Sequence, residues 1–227
     1  MKLSLSIVIC LASCGSAFSQ KCAVDSGFRG GRLRVYYDQR HLVKLFRNLS
    51  ELPPNVRAQL KHYLDARLGP AFARRLKFDE GEWLDLQQLK KEFPSLYDEN
   101  LRFGAYDLLF RFSDRAKGLK YFYAKVALND DGSVSDDIKL PKIGSDATKG
   151  QIISCQEAIN IAVTQGFPRE RIHPWFEYSE ENDSFIWTLT DTKRLDAGLF
   201  GNGTYRKIDV NANTGKILRV YEETPVM

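Results

Sequence analysis

Ser154 and Glu157 frame the stretch that most narrows what this chain can become. An S-x-x-E spacing is a capping box, in which the serine hydroxyl and the glutamate carboxylate satisfy the free N–H groups of a helix start. Behind it, Cys155, Ala158, Ile159, Ala162 and Val163 fall at i, i+3, i+4, i+7 and i+8, which draws one apolar stripe. Gly166 ends the helix and Pro168 bars its continuation. Four strand-like segments follow: Pro174 to Ser179, Phe185 to Thr192, Thr204 to Val210 and Lys216 to Glu222. They are separated by the polar turn Glu180 to Asp183, the glycine-rich loop Gly198 to Gly203 and the turn Asn211 to Gly215. Phe185, Trp187 and Leu189 alternate with Ile186, Thr188 and Thr190, and Ile208 and Val210 are expected to pair with Leu218 and Val220. A helix with one apolar face and a sheet with one apolar face cover each other. The opposite sheet face is mixed, which antiparallel sheets tolerate because water can lie on it. The expected fold class is therefore α+β, a helix packed on an antiparallel sheet.

The preceding half repeats that logic less cleanly. Leu52-Pro53-Pro54 opens a helix whose stripe is Val56, Leu60, Tyr63, Leu64 and Leu68, and Gly69-Pro70 is expected to end it. Ala71 to Leu86 is expected to hold a strand pair turning at Asp79-Glu80-Gly81, followed by a short helix from Leu86 to Phe93. Tyr106, Leu108, Phe110 and Phe112 alternate within one strand, Leu119 to Leu128 forms the next, and Ser133 to Leu140 a third after the turn Asn129 to Gly132. Ile143 to Gly150 is small, polar and glycine-bearing, and reads as the boundary between two α+β units spanning 52–144 and 145–227. Before them, 20–51 reads as a glycine- and arginine-rich tether and then a helix capped by Asp38, with Leu42, Leu45, Phe46 and Leu49 on one side. That helix either packs on the body or, through Arg40, Lys44 and Arg47, rests on an anionic membrane.

The first 19 residues read as a signal peptide. Lys2 is followed by the apolar run Leu3 to Ala12, too short to span a bilayer. Ala17-Phe18-Ser19 offers a signal-peptidase site before Gln20. Leu11-Ala12-Ser13-Cys14 instead has the form of a lipobox, with Cys14 as the lipid-attachment candidate. Both exits make the chain extracytoplasmic: secreted, periplasmic or lipid-anchored in the envelope. There Cys22 and Cys155 are candidates for a disulfide, although Cys155 on an apolar helix face also suits a buried free thiol. Sequons stand at Asn48 and Asn202.

The run from Ile153 to Glu222 resembles a PepSY domain. The features that carry the resemblance are the helix opening Ile153-Ser154-Cys155-Gln156-Glu157-Ala158, the strand Phe185 to Leu189, and the ending Ile208-Asp209-Val210-Asn211-Ala212-Asn213-Thr214-Gly215-Lys216-Ile217-Leu218. It covers about 70 of 227 residues. The resemblance implies a cystatin-like fold, an envelope setting and a role in binding or inhibiting peptidases, without catalytic residues of its own. On this reading the 52–144 unit is a diverged second copy, giving two cystatin-like units in tandem.

Motifs of catalysis are absent from the sequence. His41, His62 and His173 are far apart and lack ligand spacing. There is no C-x-x-C and no G-x-S-x-G. Placing Gly132 at the sixth position of a calcium loop would put Ala127 first and Ile138 last, where carboxylates belong. Gly201-Asn202-Gly203 lacks a third glycine and a following helix. Asp79, Glu80, Glu82, Asp136 and Asp137 suit turns and solvated surface. No cofactor, metal site or catalytic residue is expected. After loss of Lys2 the chain has 32 basic against 29 acidic side chains, too even for nucleic acid. The expected partner is a protein, a peptidase or another envelope protein, with membrane contact only through an N-terminal lipid. Trp175, Ile186, Arg206, Arg219 and Tyr221 are expected on the sheet face away from the helix, together with Ile217, as interface anchors. That face is either free or covered by the first unit. The alternative is a ligand-binding or enzymatic pocket between helix and sheet.

Overall fold

The computed structural model describes residues 22–27, 37–95, 104–193 and 203–224. The signal segment, Cys14 and most of the tether lie outside these residues. The elements are β1 (Val24–Gly27), β2 (Val43–Phe46), α1 (Pro54–Ala73), β3 (Lys77–Leu84), α2 (Leu86–Glu92), β4 (Tyr106–Asp114), β5 (Leu119–Leu128), β6 (Val134–Asp136), α3 (Cys155–Thr164), β7 (Ile172–Ser179), β8 (Ser184–Asp191), β9 (Tyr205–Asn211) and β10 (Ile217–Glu223). They build two sheets. The first runs β1-β5-β4-β3-β2, with β6 also on β5; the second runs β10-β9-β8-β7. The fold is mixed α+β. Within it, α3-β7-β8-β9-β10 sets one helix before four successive antiparallel neighbours, and α1-β3-α2-β4-β5-β6 does so with a second helix, α2, inserted between the first two strands.

The capping box forms as spaced: Glu157 N–H donates to Ser154 Oγ at 3.1 Å, and Ser154 N–H donates to Glu157 Oε2 at 2.6 Å. Cys155, Ala158, Ile159 and Ala162 are fully buried against Trp187, Leu189, Ile208 and Val210 on the sheet. The Trp187 indole N–H donates to Ile153 O at 3.2 Å, so even the ring's polar edge is used. Val220 pairs with Ile208 as expected. Val210, however, faces Ile217 and not Leu218, because the register shifts between Ile217 and Arg219. The extra residue turns Ile217 to the helix side.

Four expectations for the N-terminal half give way to tertiary contacts. The helix expected from Asp38 to Leu49 is a 3-10 turn (Tyr37–Leu42), the strand β2 and a second 3-10 turn (Leu49–Glu51). Phe46 sits opposite Gly81 on β3, and a Cβ on that glycine would come within 2.3 Å of the ring. The glycine leaves room for one ring to join the core, and strand pairing orients it there. The same contact explains why Asp79-Glu80-Gly81 is not a turn. β3 runs through it as one strand, with a bulge between Phe78 and Glu80. Third, the 20–35 tether contains β1, which pairs parallel with β5. Fourth, the strand expected over 133–140 stops at Asp136. Asp137 is taken by the Tyr63 hydroxyl and by Arg67 at 2.8 Å, and Arg67 also donates to Leu140 O at 2.8 Å. Residues 137–144 thus become a strap across α1.

Helix α1 buries Val56, Leu60, Leu64, Leu68 and Phe72, one residue per turn of the same face. At Gly69 the backbone leaves the helical region (φ 70°, ψ 150°), and one more turn leads to Ala73. Pro70 has no N–H to lose at the break. Instead Gly144 N–H donates to Arg67 O at 2.9 Å, and its carbonyl lies where a Cβ on Gly69 would be. The segment read as a boundary, 143–150, is therefore packed on α1, with Ile143 and Gly150 buried.

One core joins the two sheets. Phe72 stacks edge-on to Phe112 at 5.3 Å, Phe112 meets Phe185 at 5.5 Å, Phe122 meets Phe176 at 5.6 Å, and Phe176 meets Trp187 at 4.7 Å. β1 adds a second link. Its buried Ser26 hydroxyl accepts from Phe176 N–H on β7 at 3.0 Å. Two residues before β1, Cys22 is disulfide-bonded to Cys155, the first residue of α3, with Cα atoms 6.1 Å apart. The two cysteines lie against Gly118 of the β4–β5 turn, where a Cβ would be 2.9 Å from that of Cys155 and 3.0 Å from that of Cys22.

Candidate interaction surface

The face of the second sheet turned away from α3 is built by strand parity. Trp175 and Glu177 on β7 sit opposite Thr188 and Ile186 on β8; Thr188 sits opposite Asp209 on β9; Asp209 sits opposite Arg219 on β10. Side chains on neighbouring strands at the same register share a face, so these residues form one row across the sheet, with Tyr221 beside it.

The row is wired through Asp209, which is only 1% exposed. The Thr188 hydroxyl donates to Asp209 Oδ1 at 2.7 Å and lies 3.1 Å from Glu177 Oε1. Arg219 Nε donates to Asp209 Oδ2 at 2.5 Å. A hydroxyl and a guanidinium both serve this carboxylate, which water barely reaches. In return the Arg219 guanidinium is held fixed above the Tyr221 ring, 4.3 Å from its centroid. Its affinity for protons rises further through the bond to Asp209. Burial, and then the nearby Asp209 charge, push the Tyr221 phenol up to about 12. It is therefore a neutral donor over the whole physiological range, and it reaches Asp209 at 3.5 Å.

Of the six residues expected on this face, Ile217 turns instead to the helix side with Val210. Trp175, Arg219 and Tyr221 lie on it, and Trp175 is 40% exposed. Ile186 shares the face but is 4% exposed, closed in between Glu177 and Asn211 on the flanking strands, and offers no free surface. Arg206 does not belong to the face. It shares parity with Ile208 and Val210, donates to Gln165 O at the end of α3 at 3.0 Å, and lies over the Phe167 ring at 4.4 Å. The parity of Ile208-Asp209-Val210 carried both facts: an aspartate between two core residues must point outward, and Arg206 must point inward. Glu177, Thr188 and Asp209 went unread as site residues for want of that count.

Among the described residues, no group of three or more His, Cys, Asp and Glu side chains is gathered so as to hold a metal ion. No helix among them is long and apolar enough to cross a membrane. The first sheet also carries a buried carboxylate, Asp107, whose partner is the Lys125 ammonium. Burial raises its proton affinity, and Lys125 offsets only part of that.

Comparison with protein-family models, with curated proteins and with solved structures finds no match for this chain.

Proposed function

We propose that this chain is a non-catalytic, extracytoplasmic binding module of two cystatin-like units, the second of them PepSY-like, that docks a protein partner on the outer face of the second sheet. The partner is a peptidase or another envelope protein. The observation that carries the reading is the row Trp175–Thr188–Asp209–Arg219–Tyr221, bonded through Asp209 from Thr188 to Tyr221. It sets an exposed indole and a stacked guanidinium on a rigid sheet, the residue types that dominate binding energy at interfaces. The tandem reading draws on the helix followed by four antiparallel strands in each half, with α2 inserted after β3 in the first. The extracytoplasmic reading draws on the Leu3 to Ala12 run and is consistent with a Cys22–Cys155 bond. A pocket between α3 and its sheet is disfavoured because the space is filled by Ala158, Ile159, Ala162, Trp187 and Leu189, all fully buried.

The test is capture from an envelope or culture-supernatant extract, by the full chain and by a Trp175→Ala/Arg219→Ala variant. The captured protein is then titrated against both by calorimetry. Removal of two anchors is expected to weaken binding by about 30-fold or more. Equal affinities would remove this face from the function.

A further inference from the structure

We infer that two copies of this chain join edge to edge through β10, antiparallel, about a two-fold axis at Tyr221. β10 closes the second sheet with no further strand beside it among the described residues. The opposite edge of that sheet is occupied, because β1 lies against β7 and the Ser26 hydroxyl accepts from Phe176 N–H. Edge strands are commonly blunted by shortness, lysine, proline or a bulge. β2, which ends the first sheet, is four residues long and carries Lys44. β10 is seven residues long and holds neither lysine nor proline, and its register shift lies between Ile217 and Arg219. From Arg219 to Glu223 it pairs regularly with β9, and Val220 within that stretch is 44% exposed.

The occupant is a second copy because the charges at this edge complement their own antiparallel image. Arg219, Tyr221 and Glu223 share the outer face of the sheet with Asp209 and Lys207 on β9. A two-fold axis normal to the sheet keeps each face on its own side, so odd-numbered residues stand opposite odd ones. With Tyr221 on the axis, Arg219 stands opposite the second copy's Glu223, and Tyr221 opposite its own image. Within one chain Asp209 already holds Arg219, and Lys207 holds Glu223. The pairing therefore aligns Asp209, Arg219, the second copy's Glu223 and its Lys207, with acid and base alternating, and the axis repeats that row. On the face toward α3, Val220 stands opposite the second copy's Glu222 and diagonal to its Val220, while each Glu222 keeps Arg206 across from it on β9. A parallel alignment would instead set Glu222 and Glu223 on their own copies. The pairing lies in the plane of the sheet and leaves the Trp175–Tyr221 faces open, so the inference does not depend on the proposed docking role.

The experiment is sedimentation velocity of the full chain over a concentration series, without any partner, at low and high salt. A monomer–dimer equilibrium is expected, weakened by salt because the charged rows are exposed. Glu223→Lys sets a cation opposite Arg219 at both ends of the pairing and is expected to raise the dissociation constant at least about tenfold. Under mild oxidation Tyr221→Cys is expected to cross-link to its own image, and Val220→Cys, which faces Glu222, to cross-link far less. Hydrogen exchange at alternate β10 amides is expected to slow as the unaltered chain is concentrated, a result that stands even if a variant fails to fold. A chain that stays monomeric at every soluble concentration overturns the inference. So does a dimer left intact in folded Glu223→Lys, stronger cross-linking at 220 than at 221, or protection of β10 that only another protein confers.

Discussion

α1 with β3–β6 and α3 with β7–β10 each set a helix ahead of four antiparallel strands, the first with α2 inserted after β3, yet they are secured in different ways. The first sheet is extended on both sides, by β2 along β3 and by β1 along β5, and its helix is crossed by the 137–144 strap. The second is a bare meander behind a ten-residue helix, and β10 has no further neighbour among the described residues. It is held by what the first half lends it: β1 against β7, the disulfide on α3 and the aromatic chain from Phe72 to Trp187. Additions around a simple helix-and-sheet set thus do not merely decorate it; here they attach its neighbour. The outer faces differ in the same sense. Asp107 on the first sheet has one ammonium for company, whereas Asp209 on the second is the hub of a bonded row.

The largest effect is expected where the two halves share their core. Phe185→Ala opens a void among Phe72, Phe112, Phe122 and Phe176 and is expected to cost about 3–5 kcal/mol in urea unfolding. If the m-value halves as well, the two sets unfold separately and the comparison sharpens into two domains. An unchanged m-value means that they unfold as one unit.

Cys155→Ser comes next. The bond closes a chain separation of 133 residues, and its loss is expected to cost about 2–5 kcal/mol. Hydrogen exchange is expected to rise first in β1 and α3, the elements it joins. Uniform exchange across both sheets would contradict the idea that β1 is a fastening for the second set.

The smallest effect is alkaline. Burial, then the bond to Asp137, raises the Tyr63 phenol far above its ordinary value; burial, then the bond to Asp183, brings Tyr178 up to about 12, matching Tyr221. In the unfolded chain these phenols lose their protons near pH 10. Their contribution is complete below that and is lost as pH rises through about 10 to 12, because the unfolded state then binds fewer protons. The melting temperature is expected to fall across that window. Tyr63→Phe, on the first set, is expected to flatten the fall more than Tyr221→Phe, on the second. The reverse order would assign the deeper shelter to the wrong set.

How much of this was legible depends on the range of the forces involved. Among its described residues, the 154–222 stretch is legible in the sequence because its signals are local: a cap three residues wide, a stripe of period 3.6 and alternation of period 2; the expected loop at 198–203 falls almost wholly outside the described residues. Only the bulge at Ile217 and the parity of Arg206 escaped. The 20–51 stretch was misread because Leu42, Leu45, Phe46 and Leu49 do match a helix. Pairing with β3 and the space at Gly81 outweigh that weak preference. For the surface, composition named Trp175, Arg219 and Tyr221, but the hub Asp209 is defined by neighbours on two other strands.

The sequence alone determined the element types of the second half, the capped helix, the apolar faces and the presence of two cysteines able to bond. These follow from contacts among residues a few positions apart, whose geometry the backbone dictates. Tertiary structure alone decided that β1 bridges two sheets, that 137–144 straps α1 and that Cys22 meets Cys155. Each joins residues tens of positions apart, and their pairing is selected by the shape and burial of the whole core, which no local pattern encodes.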